Sequence, residues 1–355
     1  MIFCDVLTAS GGFSDGSGRT DKPSTSQLTT SQHRNTLIFL RTMILPWTLF
    51  VATVALVAAN DWPVIGVFTQ PSTSSDPACG GNCLYLAASY VKHIESAGAR
   101  VVPINYYSSE EELDKILSSV NGVWFPGGGA VYPDSAQYTF DQIIKFNDNG
   151  DFMPLWGTCM GFQWLLIAAS RDVNILDPKD GVMDSYNYSI PLDFTSSARS
   201  SKLFMNAPAF VYDVLAKENV TMNNHHYGIF TEHFQSTESL TSFYNMISTN
   251  DDRQGVNFVS TMEAYKYPIF GTQWHPEKNI FEWEKVNGAP YEAINHSPEA
   301  IKIAQYTANF LVEQARNNNH KFSSDAEEDS YLIWNYQPSR TGPSFVQTYF
   351  FPNDF

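Results

Sequence analysis

The sequence has few charged residues, and basic residues are the scarcer kind. Of 355 residues, 16% are charged, with 21 Lys and Arg against 37 Asp and Glu, so the formal net charge is −16. No cluster of Lys and Arg is present, which argues against nucleic-acid binding, since non-specific binding needs clustered basic side chains. The four cysteines include no second Cys/His pair at ligand spacing, so no metal site is predicted. The chain has no internal repeats, and its length suits two average domains or one large α/β domain.

The first 59 residues are predicted to precede the folded domain. Residues 1–42 are rich in Ser, Thr and Gly and have no periodicity, which is typical of disorder. The apolar run 43–59 ends in Val57-Ala58-Ala59, small residues that signal peptidase prefers. A signal anchor is the alternative, but a run of this length containing Pro46 is short for a span of about 20 residues. We therefore expect a disordered extension over 1–42, a signal peptide over 43–59 and a single catalytic domain over 60–355.

Two further features agree with secretion. Asn-x-Ser/Thr glycosylation sites occur at Asn187, Asn219 and Asn295. Cleavage after residue 59 would leave an odd number of cysteines, namely Cys79, Cys83 and Cys159. Cys79 and Cys83 either close a small disulfide loop or remain two reduced thiols. Pairing between them would leave Cys159 as a free thiol.

Strand-like and helix-like segments alternate after residue 60. The predicted strands cover 62–69, 100–105, 121–126 and 152–157, and the predicted helices cover 84–97, a segment from Ser109, and 135–147. This alternation predicts an α/β fold, with a mostly parallel central sheet and helices on both faces. After a less regular region over 170–257, a hairpin of strands 257–265 and 268–274 is expected, then a helix over 297–316 and a tail over 331–355 that packs back onto the domain.

The segment Pro154-Leu-Trp-Gly-Thr-Cys159-Met-Gly-Phe-Gln163 is typical of a strand, a sharp turn and a helix. Glycine on each side of Thr-Cys159-Met permits the turn of a nucleophile elbow, which presents its central side chain above the sheet. A cysteine at a helix N-terminus is also favoured as thiolate. Taken alone, the motif is more typical of a structural cysteine between packing glycines.

Other strand ends supply the partners that a nucleophilic thiol needs. His275 follows a predicted strand and can act as base, and Glu277 can bond the far nitrogen of its imidazole. The Gly127-Gly128 turn and the N–H of Met160 are candidate donors to a developing oxyanion. Three such features at three strand ends favour covalent catalysis by Cys159.

These motifs resemble those of the class I glutamine amidotransferase-like superfamily, and within it the γ-glutamyl hydrolases (folate conjugases). The resemblance rests on Pro-Gly-Gly (126–128), Gly-Thr-Cys-Met-Gly-Phe-Gln (157–163), Gln-Trp-His-Pro-Glu (273–277), and the longer segments 87–103 and 258–268. It covers the chain from about Pro63 to the C-terminus. It implies a flavodoxin-like fold and a cysteine peptidase that removes γ-linked glutamates from folylpoly-γ-glutamate.

The resemblance also implies how the site works and where the protein acts. Cys159 would be the nucleophile, His275 the base and then the acid, and Glu277 its orienting partner. A further substrate-site histidine of the family aligns best with His225, next to His226. The resemblance also implies no cofactor, a homodimer and a lysosomal or secreted location. No nucleic-acid partner is expected from the composition, and no stable membrane association is expected once the signal peptide is cleaved.

One departure from the family lies just after the elbow. Gln163-Trp164 stands where the family often has acidic residues, so contacts to the glutamate moiety are expected to differ. Since the substrate is anionic and the chain acidic, the site must be locally positive or work at low pH. Candidate binders of its carboxylates are Arg171, Arg199, Lys202 and Lys278.

Two other functions remain open at this point. A glutamine amidotransferase domain would share the motifs but pass ammonia to a synthase, and the signal and the glycosylation sites argue against it. A secreted binding protein with a degenerate site is the other, and the intact Cys159, His275 and Glu277 argue against that.

Overall fold

A computed structural model describes residues 59–72 and 82–355. Its centre is an eight-stranded sheet, numbered along the chain and ordered β4-β1-β5-β6-β12-β11-β10-β8. The strands in this spatial order are Arg100–Ile104, Val64–Phe68, Gly122–Phe125, Leu155–Thr158, Ile269–Thr272, Asn257–Ala264, Tyr244–Asp251 and Asp193–Phe194. The first five are parallel, and the last three pair antiparallel. The predicted α/β class and mostly parallel sheet are therefore confirmed.

Helices cover the two faces of this sheet. The helices, α1 to α10, are Ala88–Ser96, Glu110–Leu117, Asp134–Asp148, Met160–Ser170, Ala209–Lys217, Thr231–Ser236, Glu238–Thr241, Lys278–Phe281, Pro298–Ala315 and Asp325–Tyr331, with 3₁₀ turns at Ala198–Ser200 and Ile333–Asn335. The connection from β1 to β4 runs in one direction across the sheet, and that from β4 to β5 runs back. Because such crossovers are right-handed, α1 and α2 lie on opposite faces. Accordingly, α9 contacts α1, α5 and α8, whereas α3 contacts α2 and α4, and α7 contacts α4 and α6.

Three smaller sheets flank the central one. The first has the strand order β15-β16-β3-β2, and its strands in that order are Ser339–Arg340, Gln347–Phe351, Leu84–Ala87 and Gln70–Pro71. The second pairs β7 (Ser185–Ile190) with β9 (Thr221–His225). The third pairs β13 (Lys285–Val286) with β14 (Ala289–Pro290). The prediction of helix from residue 84 was wrong for its first turn. Leu84–Ala87 is a strand because it pairs with Gln347–Phe351, and the helix begins only at Ala88. Local periodicity contains no information about a partner so distant in sequence.

The remaining predicted elements agree more closely with the structure. β11 and β12 form the expected hairpin, and α9 begins after Ser297, whose hydroxyl accepts from the N–H of Ala300. The tail packs back through β16, where Phe351 is buried. Residues 1–58, which include the predicted extension and most of the predicted signal peptide, lie outside the described residues, as does Cys79. Within the described part, no helix has the length and apolar character to span a membrane.

Candidate active site

Three neighbouring parallel strands bring the predicted site residues together. β5, β6 and β12 are adjacent in the sheet, and just beyond their carboxyl ends lie Gly127, Cys159 and His275 respectively. A Cβ built on Gly127 would lie 2.6 Å from Cε1 of His275 and 3.2 Å from Cβ of Cys159. Ligands of open parallel sheets gather at this edge. The adjacency of these strands therefore places a thiol, an imidazole and a glycine turn around one point.

Cys159 occupies a strained turn between β6 and α4. Its φ of 52° and ψ of −104° are unusual for a residue with a side chain. Its N–H donates to the carbonyl of Thr272 at 2.8 Å, and its own carbonyl accepts from Gln163 N–H at 3.0 Å. These bonds fix the turn between the sheet and the helix. Cys159 is a free, buried cysteine.

The flanking glycines permit this turn because the backbones approach closely. A Cβ on Gly161 would lie 1.9 Å from the carbonyl oxygen of Phe125, and one on Gly157 would lie 2.5 Å from the carbonyl oxygen of Gly161. Real Cβ contacts are never so short, and backbone atoms have little freedom to move aside. Glycine at both positions is thus required for α4 to begin directly against the sheet.

Replacing Gly161 with alanine is expected to destabilise the domain by about 3 kcal/mol, because the extra methyl group displaces α4 from β5. Urea unfolding would measure the change. Gly129→Ala is the matched control: a Cβ there meets no heavy atom of the described chain within 4 Å, so a change below about 0.5 kcal/mol is expected. Equal stabilities of the two variants would contradict this interpretation of the elbow.

His275 and Glu277 form a buried pair beside the thiol. Nδ1 of His275 lies 2.7 Å from Oε1 of Glu277, and both side chains are buried. Burial lowers the pKa of His275, but the charge of Glu277, the thiolate of Cys159 and the hydrogen bonds to both outweigh it and raise the pKa to about 10. Burial likewise raises the pKa of Glu277, but the imidazolium lowers it below its usual value of 4.5. Because Nδ1 is engaged with Glu277, Nε2 is the ring nitrogen left to serve Cys159. The arrangement favours a thiolate–imidazolium–carboxylate triad.

Two backbone N–H groups remain available near Cys159. In the described part of the chain, no acceptor contacts the N–H of Gly128 or that of Met160, the first residue of α4. The N–H of Gly127, by contrast, donates to the hydroxyl of Tyr90 at 2.8 Å. Of the three predicted oxyanion donors, Gly128 and Met160 therefore have free N–H groups, and Gly127 does not.

Tyr90 is a site residue that the sequence did not single out. Its hydroxyl accepts from Gly127 and lies 3.3 Å from Nδ1 of His275. Burial, together with the nearby charges of Glu277 and Cys159, raises the pKa of Tyr90 well above its ordinary value, so the hydroxyl stays protonated. In the sequence, Tyr90 is indistinguishable from an ordinary core residue of helix α1. It joins the glycine turn to the base.

The structure distinguishes His225 from its neighbour. His225 is buried, and its Nδ1 lies 3.0 Å from the carbonyl oxygen of Tyr227, whereas His226 is exposed and stacks on Tyr186. Burial and the positive charge of His275 lower the pKa of His225 to about 3. A neutral imidazole therefore lies close to the triad, and the role of His225 in substrate binding stays a prediction.

The two residues that depart from the family have different environments. Trp164 is a core residue, packed edge-on against Phe68 and Phe125, so it is not a substrate contact. Gln163 is half-buried, and its Nε2 donates to the carbonyl oxygen of Tyr227 at 2.7 Å. This carbonyl also bonds His225, so Gln163 holds the segment that carries the histidine.

The candidate carboxylate-binding residues mostly have other partners. Lys278 is buried and pairs with Glu292 at 2.5 Å. Lys202 donates to backbone carbonyls, including that of Ala264 at 2.8 Å, and Arg171 donates to Asp141 at 2.9 Å. Arg199 is exposed, and its guanidinium stacks on Tyr212. Of these, only Lys278 acts on the triad, through its charge, which helps to lower the pKa of Glu277.

The other predicted features can be placed only in part. Cys83 is disulfide-bonded, but Cys79 lies outside the described residues, so the pairing of these two stays a prediction. Asn219 is exposed. Asn187 and Asn295 are half-buried with bonded side chains: Oδ1 of Asn187 accepts from Ala293 N–H at 2.5 Å, and Nδ2 of Asn295 donates to the carbonyl of Asn219 at 2.9 Å.

Comparison with known proteins agrees with this geometry. The family model of peptidase C26 matches residues 63–277. The chain is 42% identical over 299 residues to a mouse (Mus musculus) γ-glutamyl hydrolase, covering 82% of this chain and 90% of the mouse protein. It is 40% identical over 289 residues to γ-glutamyl hydrolase B of Dictyostelium discoideum, covering 79% and 80% of the two chains. It is 36% identical to γ-glutamyl hydrolase 1 of Arabidopsis thaliana over 289 residues, covering 80% of each.

Proposed function

The chain belongs to the peptidase C26 family, and on that premise we propose that it is a cysteine-type hydrolase of γ-glutamyl bonds. The observation that carries the proposal is the placement of Cys159 and His275 around the same glycine turn, with His275 bonded to Glu277 at 2.7 Å. The two free N–H groups at Gly128 and Met160 complete what thioester chemistry requires.

Acylation is the first of two steps. The thiolate of Cys159 attacks the carbonyl carbon of the γ-amide, and the carbonyl oxygen becomes an oxyanion that accepts from Gly128 and Met160 N–H. When the carbon–nitrogen bond breaks, the imidazolium of His275 gives its Nε2 proton to the leaving amine. A γ-glutamyl thioester on Cys159 remains, and the amine product departs.

Deacylation returns the enzyme to its resting state. His275, now neutral, takes a proton from water, and the resulting hydroxide attacks the thioester carbonyl. The same two N–H groups stabilise the second oxyanion. Collapse releases a free γ-carboxyl group and the Cys159 thiolate beside a protonated His275. Throughout, Glu277 keeps the imidazole oriented and stabilises its positive form.

As substrate we propose a folylpoly-γ-glutamate. Support comes from the relatives' name, γ-glutamyl hydrolase, and from the segments that resemble the folate conjugases. The test is to incubate the protein with pteroyl-poly-γ-glutamate and to identify the products by mass spectrometry, which also separates endo from exo cleavage. Release of ammonia from glutamine without cleavage of the pteroyl substrate would instead establish a glutaminase.

We further propose that the protein enters the secretory pathway, acts in lysosomes or outside the cell, and forms a homodimer. The run 43–59, the glycosylation sites and the disulfide at Cys83 support the first two points, and the family resemblance supports the third. N-terminal sequencing of secreted protein is expected to begin near Asn60; retention of the residues before Asn60 would contradict it. Light scattering would measure the mass in solution, and a monomer would refute the dimer.

Among the glycosylation sites, Asn219 is expected to carry a glycan most fully, because it is exposed whereas Asn187 and Asn295 are half-buried and bonded through their side chains. Glycopeptide mass spectrometry would give the occupancy of each site. Asn219→Gln should remove one glycan and leave activity unchanged. Higher occupancy at Asn187 than at Asn219 would contradict this expectation.

A further inference from the structure

Gln70 lies directly behind the glycine turn, on the strand β2. It is 1% exposed, and its side chain bonds the turn twice. Nε2 donates to the carbonyl oxygen of Gly127 at 2.6 Å, and Oε1 accepts from the N–H of Gly129 at 3.3 Å. The amide is thus paired with the two residues on either side of Gly128.

This pairing determines which way Gly128 faces. The amide of Gln70 holds the carbonyl of residue 127 and the N–H of residue 129 on its own side, as a paired strand would. The N–H of Gly128, between them, is thereby turned away from Gln70, and it contacts no acceptor in the described part of the chain. The fit is close, since a Cβ on Gly128 would lie 1.7 Å from Oε1 of Gln70.

The turn is held from a second side as well. Tyr90 accepts from the N–H of Gly127 at 2.8 Å, which removes that group as a competing donor. Gln70 and Tyr90 together leave Gly128 as the residue of the turn whose N–H can meet an oxyanion. Among the described residues, the amide of Gln70 bonds backbone groups of this one turn, so it contributes orientation rather than charge.

We propose that Gln70 is a positioning residue for the reaction: it orients the N–H of Gly128 towards the oxyanion formed on attack by Cys159. Gln70 does not touch the substrate or the reacting atoms in this role. The inference rests on the proposed thioester chemistry, because the oxyanion arises only there. It predicts that loss of the amide affects the transition state and leaves substrate binding and the thiol unchanged.

The test compares Gln70→Met, which keeps the length of the side chain without its hydrogen bonds, with the wild type. On pteroyl-poly-γ-glutamate we expect kcat to fall roughly 10- to 100-fold, while KM changes less than about threefold. The rate of Cys159 alkylation by iodoacetamide should be unchanged. A peptide aldehyde that carries the γ-glutamyl group forms a tetrahedral adduct with the thiol, and its inhibition constant should rise by the same factor as kcat falls. Gln137→Met on α3, a half-buried glutamine that likewise has a bonded amide, controls for the substitution itself and should match the wild type.

Gln70→Glu is the second variant should the methionine variant fold poorly. It keeps an acceptor for Gly129 but sets a carboxylate against the carbonyl of Gly127, so the same loss of kcat and aldehyde affinity is expected. Unchanged kcat and aldehyde affinity in either folded variant would overturn the inference. A fall in the rate of Cys159 alkylation that matches the fall in kcat would also overturn the inference, because it indicates a general disturbance of the site. A wild type that binds the aldehyde but does not cleave the pteroyl substrate would refute the proposed function, while the aldehyde affinities would still decide the role of Gln70.

Discussion

Cys159→Ala is expected to lower kcat for γ-glutamyl cleavage at least about 10⁴-fold, because the acyl-enzyme then cannot form. The fold should be retained, since the side chain is small and alanine keeps its Cβ. The measurement is a single-turnover assay with pteroyl-poly-γ-glutamate, in which the wild type accumulates a thioester detectable by intact-mass spectrometry. The variant should bind the substrate and show no mass increase.

Two controls make this result specific to the thiol. Iodoacetamide should inactivate the wild type by modifying Cys159, the free cysteine of the described residues, and substrate should slow that inactivation. Thermal unfolding of Cys159→Ala should stay within a few degrees of the wild type, roughly the effect of 1 kcal/mol or less. Equal cleavage by variant and wild type would exclude covalent catalysis by this residue.

Glu277→Gln is expected to lower kcat by roughly 10³- to 10⁴-fold, as when the third member of a triad loses its charge. The buried imidazolium of His275 loses the carboxylate that stabilises it, so burial dominates and the pKa of His275 falls. The thiolate of Cys159 then lacks its counter-ion. Alkylation of Cys159 by iodoacetamide at neutral pH should therefore slow in the variant, unlike in the Gln70 variants.

The same pair makes stability depend on pH in a definite direction. The pKa of His275 rises from 6.5 to about 10 on folding, so its contribution is complete below pH 6.5 and is lost as the pH rises towards 10. The pKa of Glu277 falls below 4.5 on folding, so its contribution is complete above pH 4.5 and is lost as the pH falls further. Between these limits the pair contributes fully.

Urea unfolding at a series of pH values would measure this dependence. The difference in stability between wild type and Glu277→Gln should be greatest from about pH 4.5 to 6.5 and should shrink towards pH 10. If the stability difference between wild type and Glu277→Gln grew with rising pH, His275 and Glu277 would not form a charged pair in the resting enzyme. The window of full contribution includes the acidic conditions of the lysosome, the location proposed above.

Much of the site was predictable because its residues stand at strand ends in sequence. The run before Cys159 and the run before His275 indicated strands, and the glycines after Phe125 indicated a turn. The sequence pattern did not show that β5, β6 and β12 are neighbours in the sheet. β12 lies between β6 and β11, although it comes from a segment far from β6 in the sequence. Motif resemblance, and not periodicity, supplied that relation.

Gln70 and Tyr90 escaped prediction for a physical reason. Both are buried, and their function depends on hydrogen bonds to backbone groups more than thirty residues away. Sequence patterns report on burial and secondary structure but not on such contacts. The basic residues illustrate the converse: Lys278 was one of four candidate binders of substrate carboxylates, yet in the structure it is buried and paired with Glu292.

The strand pairing of Leu84–Ala87 with Gln347–Phe351 has a consequence for biosynthesis. A nascent chain leaves the ribosome from its N-terminus, so β3 can pair early with β2 but meets β16 only after the strands of the central sheet have been translated. Helix α1, which carries Tyr90, begins at the very next residue. The strand that leads into this helix therefore gains its second partner later than Cys159, His275 and Glu277 enter the chain. Such an order of synthesis places the support of Tyr90 after the triad itself.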